Sequence, residues 1–226
     1  MAAGVALIAS SVIISSSSAG AEELAPDTEV HEAPDAESTD AEWNEWADAL
    51  EEEVRTTDWA ADSAARGCEL VSMDIRHTTV PEERGGPAGL TVPVVERTED
   101  CTETTSISQS PSTQNRTTAT YSAMASACAG TSGPGTICLS RSGSYVNYSF
   151  TYHGSSSPTG FLRLYERSSS SGCGTGTTVD TSVSWTFGSG QTRSWSTPTG
   201  YDHYAASFWR KTTFGHTNWG TVCDTL

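Results

Sequence analysis

From Val146 to Tyr152 the chain reads VNYSFTY, with Val146, Tyr148, Phe150 and Tyr152 alternating against Asn147, Ser149 and Thr151. A period of two places every second side chain on one side of an extended backbone, so the segment is a strand with one apolar face. The period recurs from Thr177 to Phe187, where Val179, Thr181, Val183, Trp185 and Phe187 share a side. Further strand candidates are Thr136–Ser140, Phe161–Glu166, Gln191–Thr197, His203–Lys211 and Thr217–Cys223. The turn GSSSPTG (154–160) is expected to join the first strand to Phe161–Glu166 as a hairpin, and Gly188-Ser189-Gly190 to join Thr177–Phe187 to Gln191–Thr197. Seven short strands with no helical pattern between them predict an antiparallel β-sandwich over residues 128–226, with a small β-barrel as the alternative.

Cysteine usage points to an oxidising compartment. All six cysteines (Cys68, Cys101, Cys128, Cys138, Cys173 and Cys223) follow the acidic N-terminal part of the chain. Six cysteines allow about fifteen pairings; the division of the chain suggests Cys68–Cys101, Cys128–Cys138 and Cys173–Cys223. No C-x-x-C pair favours zinc, so neither a metal nor another cofactor is expected. The N-terminus reads as an export signal over residues 1–21: an apolar run Ala2–Ile14, a polar stretch Ser15–Ser18 and the small-residue site Ala19-Gly20-Ala21. No Lys or Arg follows Met1, which places the expected start upstream. The apolar run is too short to span a bilayer as a helix, so a secreted protein without membrane insertion is expected.

Charge divides the chain. Sixteen of the 28 acids lie between Glu22 and Asp62, where Arg55 is the only Lys or Arg, and this arm carries nearly all of the net charge of −16. From Cys128 onward, six Lys and Arg face four acids. Such an arm repels nucleic acid and anionic membranes and suits a basic surface on a protein partner. Glu22–Ser38, rich in Ala, Pro and acids, cannot repay its ordering entropy and is expected to be disordered. Thr39 with Glu42 then forms a capping-box signature, predicting a helix over residues 40–54. Trp43, Trp46, Ala47, Leu50 and Val54 fall on one stripe of it, opposite Asn44, Glu45, Asp48, Glu51 and Glu52. At about fifteen residues the helix is marginal alone, so the stripe must dock, either on the chain's own body or on a partner. Large aromatics ringed by charge have the composition of an interface anchor, and Trp43, Trp46, Leu50 and Trp59 are the candidate partner-binding residues.

Residues 63–101 read as two or three short strands closed by a disulfide, too small for a core of their own. Residues 102–127, rich in Ser and Thr, read as a linker, and Asn115-Arg116-Thr117 matches a glycosylation acceptor.

Catalytic templates fit poorly. There is no G-x-S-x-G elbow, and the pairing leaves no free cysteine. A two-carboxylate hydrolase would have to draw on Glu166 with Asp180 or Asp202. His153, His203 and His216 lack the H-x-H or H-E-x-x-H spacing of a metal site. Aromatic residues are more telling: Trp195 and Trp209 stand among Arg193, Ser194, Ser196, Ser207 and Arg210, a mixture that suggests a half-exposed face. With Tyr201 and Tyr204 they are the candidate ligand-binding residues, able to stack on carbohydrate or anchor a protein. Arg163, Arg167, Arg193, Arg210 and Lys211 supply positive charge around them.

A signal ending Ala19-Gly20-Ala21, an arm from Glu22 to Asp62 and a cysteine-stapled body from Cys128 to Cys223 resemble, in organisation, the adaptor subunits of the secreted umbrella toxin particles of actinobacteria. The resemblance implies a non-enzymatic connector between a lectin-like subunit and a repeat-built scaffold, with no catalytic residues to carry over. The sequence thus predicts a secreted adaptor bound to another secreted protein. A carbohydrate-binding module is the alternative, and a secreted hydrolase is the least favoured.

Overall fold

A computed structural model describes residues 31–101 and 126–226. The export signal, the glycosylation match and most of the linker lie outside the described residues. Two helices, α1 (Asp40–Thr56) and α2 (Trp59–Ala65), precede eleven strands. These are β1 (Cys68–Thr79), β2 (Thr91–Cys101), β3 (Ser126–Gly130), β4 (Gly135–Ser142), β5 (Tyr145–Tyr152), β6 (Thr159–Arg167), β7 (Thr177–Thr181), β8 (Trp185–Thr186), β9 (Thr192–Pro198), β10 (His203–Thr212) and β11 (Gly215–Thr225).

The strands form two antiparallel sheets. One runs β1-β2-β9-β5-β4-β3 and the other β11-β10-β6-β7, with β8 also paired to β6. Alternating residues of both sheets fill the space between them. Ile137, Tyr148, Phe150, Leu162, Leu164, Phe187, Ala206 and Phe208 are wholly buried there, and the rings of Phe150 and Phe208 stack at 3.8 Å. This is the sandwich that the period of two requires. Gly160 leaves room for the ring on the neighbouring strand: a Cβ there would sit 2.4 Å from the Phe208 ring.

Two connections differ from the sequence expectation. β5 pairs with β4 and β9 rather than with β6, and β8 and β9 lie in different sheets, so the turns at 154–160 and 188–190 cross between layers instead of closing hairpins. Both flanking strands are two-sided in burial, so alternation alone does not identify their neighbours. The expected strand Thr177–Phe187 is broken at Ser182, which exchanges hydrogen bonds with the Leu162 backbone and leaves Val183 exposed.

The small N-terminal unit also proves to be part of the sandwich. Val95–Glu99 pair with Thr192–Ser196, so β1 and β2 extend the six-stranded sheet rather than forming a separate segment. Ser126 and Ala127, assigned to the linker, begin β3. The three disulfides are Cys68–Cys101, Cys128–Cys138 and Cys173–Cys223, as the division of the chain suggested.

The outer face of the six-stranded sheet carries the helices. Thr39 caps α1 reciprocally with Glu42, its backbone N–H donating to Glu42 at 2.6 Å and its hydroxyl accepting from the Glu42 N–H at 3.3 Å. Trp43, Trp46, Leu50, Val54 and Trp59 pack with Val80, Val92, Val95 and Tyr145 in a second core. The tryptophan stripe is therefore covered by the chain's own sheet. Trp43 and Leu50 have no exposed surface, and Trp46 and Trp59 retain only 6% and 4%. This corrects the assignment of Trp43, Trp46, Leu50 and Trp59 as partner-binding residues: the apolar outward faces of β2 and β5 need cover, and α1 is the nearest apolar surface. The leading segment follows the same face, with the His31 N–H donating to Ser144 Oγ at 2.7 Å and Ala33 packed on this core, so residues 31–38 of the expected disordered stretch are in contact with the body.

Candidate binding surface

Beyond the end of the five-stranded sheet, β10 and β11 continue as a projecting hairpin. The last pair between β10 and β6 is Arg210 with Gly160, whereas β10 and β11 pair as far as Thr212 with Gly215. A two-residue turn, Thr213-Phe214, closes the hairpin, and Gly215 follows at φ 133°, a conformation open to glycine. Phe214 stands at the tip with 100% of its surface exposed. Arg210, Lys211 and His216 flank it, all exposed, and among the described residues none of them lies within ion-pair distance of a carboxylate.

At the base of the hairpin, the outer face of the sheet is aromatic and cationic. Phe161 and Trp209 are paired across β6 and β10, and Lys211 and His216 across β10 and β11, on the same face. The Trp209 indole N–H donates to the Tyr165 hydroxyl at 3.1 Å, which fixes the half-buried ring along the sheet. The Arg163 guanidinium lies 5.3 Å from the Phe161 ring and 5.8 Å from that of Trp209, and the His216 ring meets Phe161 edge-on at 4.9 Å. A bulge between Phe208 and Trp209 on the β11 side gives that strand an extra residue, Trp219, which turns inward onto Phe150 and Phe208.

The other candidate ligand-binding residues are placed differently. Trp195 is 3% exposed, its N–H donating to Asp180 at 2.8 Å in the core. Tyr204 is 1% exposed and donates to the Gly200 carbonyl. Neither can meet a ligand, which corrects both assignments. Tyr201 is exposed but sits apart, under the Arg141 guanidinium at 4.1 Å. Trp209 alone of the four belongs to the aromatic face. The serines beside Trp195 were misleading for a physical reason: Ser194 and Ser196 face a buried charged cluster, not water. Ser196 Oγ accepts from Arg97, and Ser194 donates to Glu99.

Of the candidate carboxylates, Glu166 and Asp202 meet, whereas Asp180 is engaged in the core. Asp180 is buried and accepts hydrogen bonds from Tyr148, Trp195 and Thr197. Glu166 is half-buried, and burial together with a hydrogen bond to Asp202 raises its pKa above the usual carboxylate range. His203 bonds to Thr225, His153 to Thr136, and His216 packs on Phe161, so the three histidines do not converge. Among the described residues, the one grouping with metal-ligand geometry is Cys68, Glu99 and Cys101, whose sulfurs form a disulfide.

On the opposite side of the molecule, the solvent face of α1 is acidic. Glu42, Glu45, Asp48 and Glu52 are exposed along it. No protein-family model, curated protein or solved structure matches the chain.

Proposed function

We propose that this is a secreted, non-enzymatic binding protein that connects two partners. One surface is the Phe214 hairpin and the other the acidic face of α1. The observation that carries the reading is Phe214, an aromatic side chain held wholly in solvent at the tip of a projecting hairpin between unpaired cations. Withdrawing such a ring from water is worth about 1.5–3 kcal/mol, and aromatic residues with Arg beside them are the usual anchors of protein interfaces. The acidic helical face complements a basic partner and is rigid because the tryptophan stripe beneath it is already docked. Three disulfides are consistent with life outside the cell, and the leader-like N-terminus supports export. A connector role also agrees with the resemblance to umbrella-particle adaptors. Asp180 is engaged in the core and the three histidines lie apart, which favours binding over catalysis.

Affinity purification of the full-length, disulfide-intact protein from the culture fluid of its source tests this. Wild type should carry two partners. Phe214→Ser should lose one of them, and a Glu45→Lys/Asp48→Lys variant the other. Recovery of the same proteins with all three forms, or of none with wild type, would contradict the reading.

A further inference from the structure

We propose that the outer face of the five-stranded sheet holds a subsite for an acidic sugar residue, stacked on Trp209 with its carboxylate held by Arg163 and Lys211. This site adjoins the Phe214 hairpin and shares Lys211 and His216 with it, but does not use the Phe214 ring. Trp209 is half-buried and immobilised by its bond to Tyr165, so one large apolar ring is presented in a fixed orientation at low entropic cost. Phe161 is paired with it across the strands, and the buried Ser207, bonded to Thr221 at 2.7 Å, lies two residues before it on the same face. The C–H face of a pyranose is apolar and weakly positive, and it pairs with the negative face of an indole.

Charge selects the class of sugar. Arg163 and His216 lie against these rings and Lys211 is paired with His216 on the same face; among the described residues none has a carboxylate partner, on a chain whose net charge is −16. Arg163 spends one donor on Thr181, from Nε to Oγ1 at 3.1 Å, and its remaining guanidinium donors form the fork that suits a carboxylate. The acids elsewhere repel an anion, which leaves this face as the favourable approach. A neutral sugar would use the indole and leave the cations idle. An acidic peptide would use the cations and leave the indole idle.

The test is titration of the full-length protein, by tryptophan fluorescence and calorimetry, with a galacturonate trisaccharide, a neutral galactose trisaccharide and triglutamate. Galacturonate should bind, with at least tenfold weaker affinity in Trp209→Ala and in Arg163→Gln, and unchanged affinity in Phe214→Ser. Arg163→Gln keeps an extended side chain on an already half-exposed position, so it remains informative if Trp209→Ala folds poorly. Equal binding of triglutamate, equal binding of the neutral sugar, or no binding of galacturonate at millimolar concentration would each overturn the proposal. Any of these results leaves the Phe214 connector reading standing, because that reading is scored on partner recovery.

Discussion

Arg97 and Asp62 lie 35 residues apart and form an ion pair in which the guanidinium has no exposed surface. Around them Arg66 binds both Asp62, at 3.0 Å, and Glu99, at 2.5 Å, while Arg97 also donates to Asn147 and Ser196, each at 3.0 Å. The Arg97 guanidinium lies 5.0 Å from the Trp59 ring. Two cations and two anions thus bolt α2 to β2, β5 and β9. Breaking such a buried set by removing one member leaves an uncompensated charge, at a cost of about 3–5 kcal/mol.

This cluster makes stability depend on acid. Neighbouring arginines and a hydrogen bond from Ser194 overcome burial and lower the Glu99 pKa from 4.5 to about 2; Asp62 is lowered for the same reason. A carboxylate depressed on folding stabilises fully above its unfolded pKa and loses that contribution as pH falls through the folded one. The stabilisation by Glu99 is therefore present at pH 7 and is lost between about 4.5 and about 2, a change of about 3 kcal/mol. Urea unfolding at pH 7, 4 and 2.5 should show the fall, and Glu99→Gln should start lower and vary less.

Glu166 should behave in the opposite sense. Burial and its contact with Asp202 raise its pKa, so its ionisation opposes folding above the ordinary carboxylate range. Glu166→Gln should therefore be more stable than wild type at pH 7 and should lose that advantage at pH 4, as read from thermal midpoints.

The helices are part of the fold rather than an appendage. Trp43 is fully buried and meets Trp46 edge-on at 5.6 Å, so Trp43→Ala should cost about 3–5 kcal/mol. Deleting residues 22–62 should expose Val92, Val95 and Tyr145 and produce dye-binding, aggregating protein. A stable monomer after that deletion would show that the second core contributes little.

How legible this was in the sequence varied with how far each signal reached. Capping of α1, the strand set of the body and the class of fold follow from local patterns: the Thr39/Glu42 pair, alternation at 146–152 and turn residues between strands. The second helix was missed although Asp58 caps it, because its seven residues are too few for a helical period. Which surface covers the tryptophan stripe is a tertiary question. Val92, Val94 and Val95 read as one apolar run, yet Val94 faces the sandwich and Val95 the helices. The same two-sided burial hid Trp195, whose serine neighbours look solvent-facing until Arg97 and Glu99 are placed beneath α2. Trp209 lies on the outer face of the other sheet, away from α1 and α2, and is half-buried.

The two tryptophans consequently separate by experiment. Trp195→Ala should destabilise by about 3–5 kcal/mol, whereas Trp209→Ala should cost markedly less because its ring is already half in solvent. Acrylamide should quench a component of the wild-type fluorescence that Trp209→Phe removes and Trp195→Phe leaves in place.

The most direct measurement places a photo-crosslinking amino acid at position 214 of the full-length, disulfide-intact protein and irradiates it in the native culture fluid. One discrete heteromeric adduct is expected, absent when the crosslinker sits instead at exposed Ser170 in the β6–β7 loop. A protein that stays uncrosslinked at 214, or that yields the same scattered adducts from both positions, would contradict a partner surface at the Phe214 hairpin.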